Sequence, residues 1–495
     1  MTHPLPTRGT PWPDLERRMR EMAEGDVDWR DGKAAVYVFH AGDDVLQVQK
    51  EAYALFQSEN GLGPMAFPSL ARMEGEVVEM ALSLLHAPDG ARGNVTSGGT
   101  DSITMAIKSC RDHARHTDRV TGPARIVLPV SAHLAFDKAA HLMDIEVVRT
   151  PLRPDFTADP AAMRAAIDER TLMIVGSAPC FPFGLVDPIA ELSEVAEQTG
   201  VWLHVDACVG GFLLPFVRRL GYPLVDFDFT VPGVTSISAD LHKYGYAAKG
   251  ASIVLYRDRT LRRHQLFAYT DWPGGIYASP TMAGTRPGGA IAAAWAIMNY
   301  LGEEGYLRIV GRVMETATHL KEAIANIPDL KVLGSPPASL LAIASDTVNI
   351  YEVGDEMGLR GWHLDRQQFP PSLHLTVNYA HVEQVDAFIM DLAEAVQLAR
   401  RPSARKLGTT VALAAARTAT RVLPEHIVSR LTARASGMAG GGSGLPERSA
   451  AMYGMMGTLP NRGDLKEVVL DLVEQFTTPQ TSPGESSGER QRPPD

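Results

Sequence analysis

The sequence predicts an α/β protein: a mostly parallel sheet covered by helices on both faces, followed by a smaller α+β C-terminal unit. Three observations lead there. Short β-type runs alternate with helical stretches between about residues 125 and 256, the pattern of parallel strands joined by crossover helices. A long helical pattern, Ala290 to about Ile327, separates them from a second group of strand-like runs. The 495 residues, 45% of them hydrophobic, can bury a large core spread over more than one structural unit.

Taken in order, residues 1–60 read as an N-terminal arm. It is Pro-rich at first, then has a short apolar piece, Ala34 to Phe39, and a helical pattern from Val45 to Phe56. A Gly/Pro loop, Asn60 to Pro68, opens the large domain, residues 61–305. Apolar positions recur at helical spacing from Leu70 to Leu85, and a further helix through about His116 begins at the glycine pair of Ser97-Gly98-Gly99-Thr100. Strands are expected at Arg125–Val130, Glu146–Arg149, Leu172–Gly176, Val201–Val205, Ser236–Ala239 and Ser252–Tyr256. The small domain, residues 306–476, carries candidate strands at Leu330–Leu333, Leu340–Ala344 and Leu373–Val377. Residues Ala435–Pro446 form a Gly/Ser-rich loop, and residues 477–495 a tail of Pro, Ser, Glu and Arg too polar to order itself.

Composition narrows the function classes. A net charge of -11 with scattered Lys and Arg offers no basic stripe, so nucleic acid is not expected as a partner. The apolar stretch Ala290–Leu301 is about half the roughly 20 residues a membrane-spanning helix needs. Met1–Arg20 lacks the apolar core of a secretory signal, so export is not indicated. Cys110, Cys180 and Cys208 are too few and scattered for a disulfide framework or a CxxC zinc site, so no metal is expected and a cytoplasmic location fits best.

Three constellations can carry chemistry. Gly98-Gly99 at a helix start exposes unpaired backbone N–H groups at the positive end of the helix dipole, with Ser97 and Thr100 hydroxyls alongside. A phosphate fits there, and so does an ordinary capped helix. Asp206 ends an apolar strand, where open α/β sheets place ligands. It suits holding a proton on a pyridine nitrogen, which strengthens such a ring as an electron sink, and it also suits capping the Gly210-Gly211 turn. Lys243 follows a β-type run and a histidine, His242. To form an imine it needs an unprotonated amine, so the expected site desolvates it and places cations nearby to lower its pKa. An anion cradle, a strand-end aspartate and a loop lysine, in that chain order, match a domain that binds pyridoxal phosphate (PLP).

The longer runs are more specific. Asn94-Val-Thr-Ser-Gly-Gly-Thr100, Ser131-Ala-His-Leu-Ala-Phe-Asp-Lys-Ala139, His204-Val-Asp-Ala-Cys-Val-Gly-Gly-Phe212 and Thr235 through Gly250 resemble the sphingosine-1-phosphate lyase family. So do Gly274-Gly-Ile-Tyr-Ala-Ser-Pro-Thr281, Ala283-Gly-Thr-Arg-Pro-Gly-Gly289 and Glu447 through Met455. The resemblance runs from about Ala34 to Gln475 and implies a fold type I PLP-dependent enzyme. It implies that Lys243 carries the cofactor as a Schiff base, Asp206 pairs with the pyridine nitrogen and His133 stacks on the ring. Gly98, Gly99, Thr100 and His242 would hold the cofactor phosphate. Lys249 matches a family position that binds the substrate phosphate, and is as readily a solvated loop lysine. Asn60 lies in a loop that contacts substrate. Tyr277 and Ser279 lie in a loop that reaches the other subunit's site, implying a homodimer. Arg286 either orders that loop or makes a structural ion pair.

The implied reaction is a retro-aldol cleavage of a phosphorylated amine: the C2–C3 bond of a sphingoid-base 1-phosphate or a related amino alcohol phosphate breaks, giving a long-chain aldehyde and phosphoethanolamine. Two positions depart from the family pattern. Gly63 stands in Asn60-Gly-Leu-Gly-Pro64 where a histidine is usual, and Phe183 in Pro179-Cys-Phe-Pro-Phe-Gly184 where another is. An amino-acid decarboxylase is the alternative activity, since that group shares the fold, the His-Lys pair and the strand-end aspartate. A non-catalytic scaffold is a third reading, opposed by the retention of Lys243 and Asp206.

Overall fold

The computed structural model describes residues 5–119 and 122–401, with Ala450, Lys466, Val469, Leu470, Val473 and Glu474. The expected Gly/Ser-rich loop at 435–446, the family-like run at 447–455 apart from Ala450, and the tail at 477–495 lie outside the described residues. One compact unit comprises residues 28–350 and 362–394.

Its main sheet has seven strands: β1 (Arg92–Thr96), β2 (Arg125–Pro129), β3 (Glu146–Thr150), β4 (Thr171–Ser177), β5 (Trp202–Asp206), β6 (Val234–Ala239) and β7 (Ser252–Tyr256), in the order β1-β7-β6-β5-β4-β2-β3. Strand β7 runs antiparallel to both neighbours, and the remaining pairs are parallel. All positions of β4 and β5 are buried, which explains their near-continuous apolar reading. Side chains alternate between two core clusters. Ile174, Leu203, Val205 and Ile237 join Ile189, Leu192 and Phe212, whereas Met173, Val175 and Trp202 join Ile103, Ile107 and Phe136.

Strand β1 was not among the expected strands. Arg92-Gly-Asn-Val-Thr96 has weak strand propensity. Its pairing with β7 overrides that, and a side chain at position 93 would lie 2.7 Å from the Val254 carbonyl, so glycine permits the approach.

The helices Asp43–Leu55, Pro68–Leu84 and Gly99–His116 match the apolar spacing. The piece Ala34–Phe39 forms no strand, only a single bridge from Ala34 to His363. The long pattern after residue 288 is Gly288–Asn326, interrupted where Gly302 adopts a left-handed φ of 54°. Before it lies a hairpin, β8 (Phe267–Tyr269) and β9 (Tyr277–Ser279). A second, antiparallel sheet follows, β10 (Lys331–Val332), β11 (Leu340–Ala344), β12 (Asp365–Gln368) and β13 (Pro371–Thr376), in the order β10-β11-β13-β12. Strand β12 escaped expectation because Asp-Arg-Gln-Gln has no apolar alternation and pairs only at an edge.

The other compact unit takes in residues 1–27, 351–361 and 395–495. Its helix Trp12–Met22 buries no residue, and Asp355 accepts a hydrogen bond from the Ala450 N–H at 3.2 Å. Among the described residues no helix is long and apolar enough to cross a membrane.

Candidate active site

The sheet topology gathers the sequence-predicted residues. Strands β2, β4, β5 and β6 are mutually parallel, and β1, two antiparallel steps from β6, shares their direction. Their C-terminal ends therefore lie along one edge, where doubly wound sheets bind ligands. Out of that edge come Ser97-Gly98-Gly99 after β1, His133 after β2, Phe181 after β4, Asp206 at the end of β5, and Asp240, His242 and Lys243 after β6.

The glycine cradle is built from beneath. The helix starts at Gly99, and Ser97 is fixed by Asp101, whose Oδ2 accepts from the Ser97 N–H and hydroxyl, both at 3.0 Å. A Cβ on Gly99 would lie 2.9 Å from Cys208 Sγ and 3.0 Å from both Asp240 oxygens. No side chain fits there without displacing a buried carboxylate. A Cβ on Gly98 would stand 3.8 Å from His242 Cε1, so His242 borders the same cradle. Its Nδ1–H donates to the Ala251 carbonyl at 2.7 Å. Burial lowers its pKa, with the charge of Asp240 acting in the opposite direction.

Asp206 is buried, and its Oδ1 accepts from the Cys208 N–H at 3.0 Å and from Ser238 Oγ at 3.3 Å. The carboxylate thus caps the residue two positions on, and not the Gly210-Gly211 turn. Among the described residues its Oδ2 receives no hydrogen bond.

Lys243 Nζ stands 3.0 Å from Asp240 Oδ2. Burial alone would lower the lysine pKa, but the charges of Asp240 and Asp206 and the bond to Asp240 outweigh it and raise the pKa above the ordinary value. The sequence expectation was a lysine lowered by neighbouring cations. The structure supplies carboxylates instead, so in this chain Lys243 is an ammonium. Asp240 is fully enclosed, and its carboxyl is held below the usual range by Lys243 and His242 against the opposing effect of burial. Among the described residues its Oδ1 is buried and accepts no hydrogen bond. Asp240 was inside a quoted motif but was assigned no role; its position three residues before the lysine was the available signal.

Lys249 is exposed, with Nζ donating to the Tyr37 carbonyl at 2.6 Å, and desolvation followed by the charge of Lys243 lowers its pKa. His133 accepts the Ala135 N–H through Nδ1 at 3.1 Å and meets Phe181 edge-on at 6.5 Å; Phe181 in turn lies 4.2 Å from the buried His374. Asn60 ties its loop to the 285–286 segment: Oδ1 accepts from the N–H groups of Leu62 (2.9 Å) and Arg286 (3.1 Å), and Nδ2 reaches Thr285. Arg286 pairs with Glu74 at 2.6 Å and donates to the Gly61 carbonyl, so it makes the structural ion pair, and the loop these contacts hold is the one at Asn60 and Gly61 rather than the one bearing Tyr277 and Ser279. Ser279 Oγ donates to carbonyls of its own loop, Thr281 at 3.1 Å and Ala283 at 3.3 Å. Tyr277 is half-buried, its ring 6.2 Å from Phe267. Of the two departures, Phe183 is buried with Cys180, Leu185 and Leu333 and lies 4.9 Å from Phe156, filling an apolar cluster. Gly63 has space for a side chain, with only Ala66 Cβ nearby at 3.7 Å.

These residues fit pyridoxal phosphate. The backbone N–H groups at the Gly99 helix start suit its phosphate, and the glycine leaves the cradle free of side chain. Lys243 would offer an amine to its aldehyde, and the open oxygen of Asp206 would suit its ring nitrogen.

Comparison with known proteins agrees. Residues 4–341 match the pyridoxal-dependent decarboxylase conserved domain. A sphingosine-1-phosphate lyase of Arabidopsis thaliana is 45% identical over 404 residues, 80% of this chain and 74% of the relative. Sphingosine-1-phosphate lyase 1 of Rattus norvegicus is 42% identical over 82% of this chain and 72% of its own. The solved structure of a Burkholderia pseudomallei sphingosine-1-phosphate lyase superposes with a TM-score of 0.78 at 42% identity, covering 83% of this chain and 96% of that one. With a cofactor-compatible site at the sheet edge and likeness of this extent, the chain is a PLP-dependent lyase that belongs to the sphingosine-1-phosphate lyase branch of the pyridoxal-dependent decarboxylase family.

Proposed function

We propose that this lyase cleaves sphingoid-base 1-phosphates or closely related amino alcohol phosphates, using pyridoxal phosphate, as a homodimer. The observation that carries the reading is the likeness to sphingosine-1-phosphate lyases over about four fifths of the chain. In net terms the C3 hydroxyl loses its proton, the C2–C3 bond breaks and C2 gains a proton, giving a long-chain aldehyde and phosphoethanolamine. Bound PLP supplies the electron sink for the pair released at C2.

The chain's own residues supply the rest. Gly98, Gly99, Thr100 and His242 would hold the cofactor phosphate, His133 would stack on the ring, and Asp206 would pair with the ring nitrogen. Lys243 is the amine that joins the cofactor, and when free it rests as an ammonium against Asp240. That pairing gives Lys243 a route to hold and return a proton at Nζ. Lys249, cationic and exposed, is suited to the substrate phosphate, and the open space at Gly63 accommodates that group without the usual histidine. Asn60 serves the substrate end by holding the 60–67 loop against Arg286.

The hairpin bearing Tyr277 and Ser279 exposes Phe267, Tyr269, Trp272 and Ile276, an apolar surface that a second copy would cover. Buried, unpaired Cys110, Cys180 and Cys208 support a reducing, cytoplasmic setting.

Purified protein loaded with PLP is expected to release fatty aldehyde and phosphoethanolamine from sphinganine 1-phosphate. Carbon dioxide from an amino acid with no aldehyde would favour the decarboxylase alternative instead. Light scattering should give a dimer that Trp272→Glu weakens.

A further inference from the structure

We propose that Trp202, Ser236, His204 and Ser238 form a one-way hydrogen-bond relay that positions Asp206, with His204 and Ser238 as its positioning residues. The inference rests on the cofactor reading and deepens it. Residues 202, 204 and 206 share one side of β5, and the register sets His204 opposite Ser236 and Asp206 opposite Ser238 on β6.

The direction of each bond follows from what each group can donate. Trp202 Nε1–H, which can only donate, reaches Ser236 Oγ at 2.7 Å. The Ser236 proton then goes to its other partner, His204 Nδ1, at 2.7 Å. That leaves the ring proton on Nε2, which donates to Ser238 Oγ at 3.1 Å. The Cys208 thiol also donates to Ser238 Oγ, at 3.4 Å, so this oxygen accepts twice and its one proton points to Asp206 Oδ1 at 3.3 Å.

The chain is dry. His204, Ser236 and Ser238 are fully buried, and Phe136 packs against the imidazole at 5.7 Å. Burial pushes the His204 pKa down to about 4, so the ring stays neutral and keeps its directed tautomer at neutral pH.

With the Cys208 N–H, the relay places two donors on Oδ1. Donors on a carboxylate favour its charged form. The proton between Asp206 and the ring nitrogen of a bound cofactor would thereby stay on nitrogen, with Oδ2 as the acceptor of that N–H.

The test loads PLP labelled with 15N in the ring into wild type, Ser238→Ala, His204→Phe and His204→Gln, and reads the nitrogen shift by NMR. Ser238→Ala removes one buried oxygen and cuts the last link, so the result does not depend on the bulkier change folding. Ser238→Ala is expected to move the proton equilibrium toward Asp206 by about tenfold, the effect of losing one hydrogen bond to a charged acceptor, and His204→Phe, which removes the donor that orients the Ser238 hydroxyl, to move it the same way by a smaller factor. His204→Gln, with an acceptor at one end and a donor at the other, should restore the protonated-ring shift. One common shift in wild type, Ser238→Ala and His204→Phe would overturn the relay alone. A wild type that takes up no PLP would overturn the cofactor reading, and the relay with it.

Discussion

Replacing Asp240 by Asn tests how the lysine is held. The two side chains sit 3.0 Å apart, Asp240 2% exposed and Lys243 25%. Removing one partner of a buried pair costs about 3–5 kcal/mol, because the other charge loses its counterion. The part of Lys243 open to solvent places the expected loss at the lower end, about 3 kcal/mol. Asn is nearly isosteric, so packing contributes little. Both shifts act fully at pH 7. Asp240 is depressed, so its stabilisation is present above about pH 4 and is lost as pH falls through its lower folded value. Lys243 is raised, so its stabilisation is complete below about pH 10 and is lost as pH rises through its folded value. Urea unfolding at pH 7 of wild type, Asp240→Asn, Lys243→Met and the double variant closes a cycle whose coupling energy should be about 2–3 kcal/mol. With its main counterion gone, Lys243 keeps the burial that lowers its pKa, and its labelling by an amine reagent should move to lower pH. A coupling below about 0.5 kcal/mol, the scatter expected of independent sites, would refute the pairing.

Arg286→Ala should lower stability by about 1–3 kcal/mol, since it leaves the part-buried Glu74 without its 2.6 Å partner, with only the Asn94 amide and the Val95 N–H as donors; a thermal melt reads it, and an unchanged melting temperature would contradict the account. Asp187 is fully buried and accepts from the N–H groups of Ala158 (2.8 Å) and Ser177 (2.7 Å), and burial pushes its carboxyl up to about 6. Being raised, it binds a proton in the fold that the unfolded chain releases, so it removes up to about 3 kcal/mol of stability as pH rises from about 4 to 6, and Asp187→Asn should flatten that part of the stability profile. Gly99→Ala forces Cys208 or Asp240 to yield by a few tenths of an ångström, a strain of about 1–3 kcal/mol, and should weaken PLP binding at least tenfold by equilibrium dialysis while circular dichroism stays unchanged.

What the sequence disclosed follows from the range of the interactions involved. Strands β4 and β5 were legible because burial on both faces writes itself as an apolar run, and the gathering of Gly98, Gly99, Asp206 and Lys243 at one sheet edge because each follows or ends a strand. Strands β1 and β12 were not, since neither carries a local signal and each is a strand only through its partner. The hairpin β8–β9 likewise showed itself only as a resemblance.

The charge around Lys243 shows the same limit at the site itself. The sequence displays His242, Lys243 and Lys249 close together in the chain, which reads as a cationic pocket and a depressed lysine. The fold turns Asp240 inward to 3.0 Å from Nζ, brings Asp206 from the next strand, and lets Lys249 point its ammonium at the Tyr37 carbonyl. Residues 37 positions apart are thus joined, so part of the field on the lysine is a property of register. The His204–Ser238 link depends on that register too, including the irregularity between Leu203 and His204 that sets which serine faces the ring. Were β6 to slip by one residue, Ser236 and Ser238 would turn to the opposite face and Asp206 would lose the side-chain donor on Oδ1. One strand's alignment therefore governs how the carboxylate of Asp206 is held.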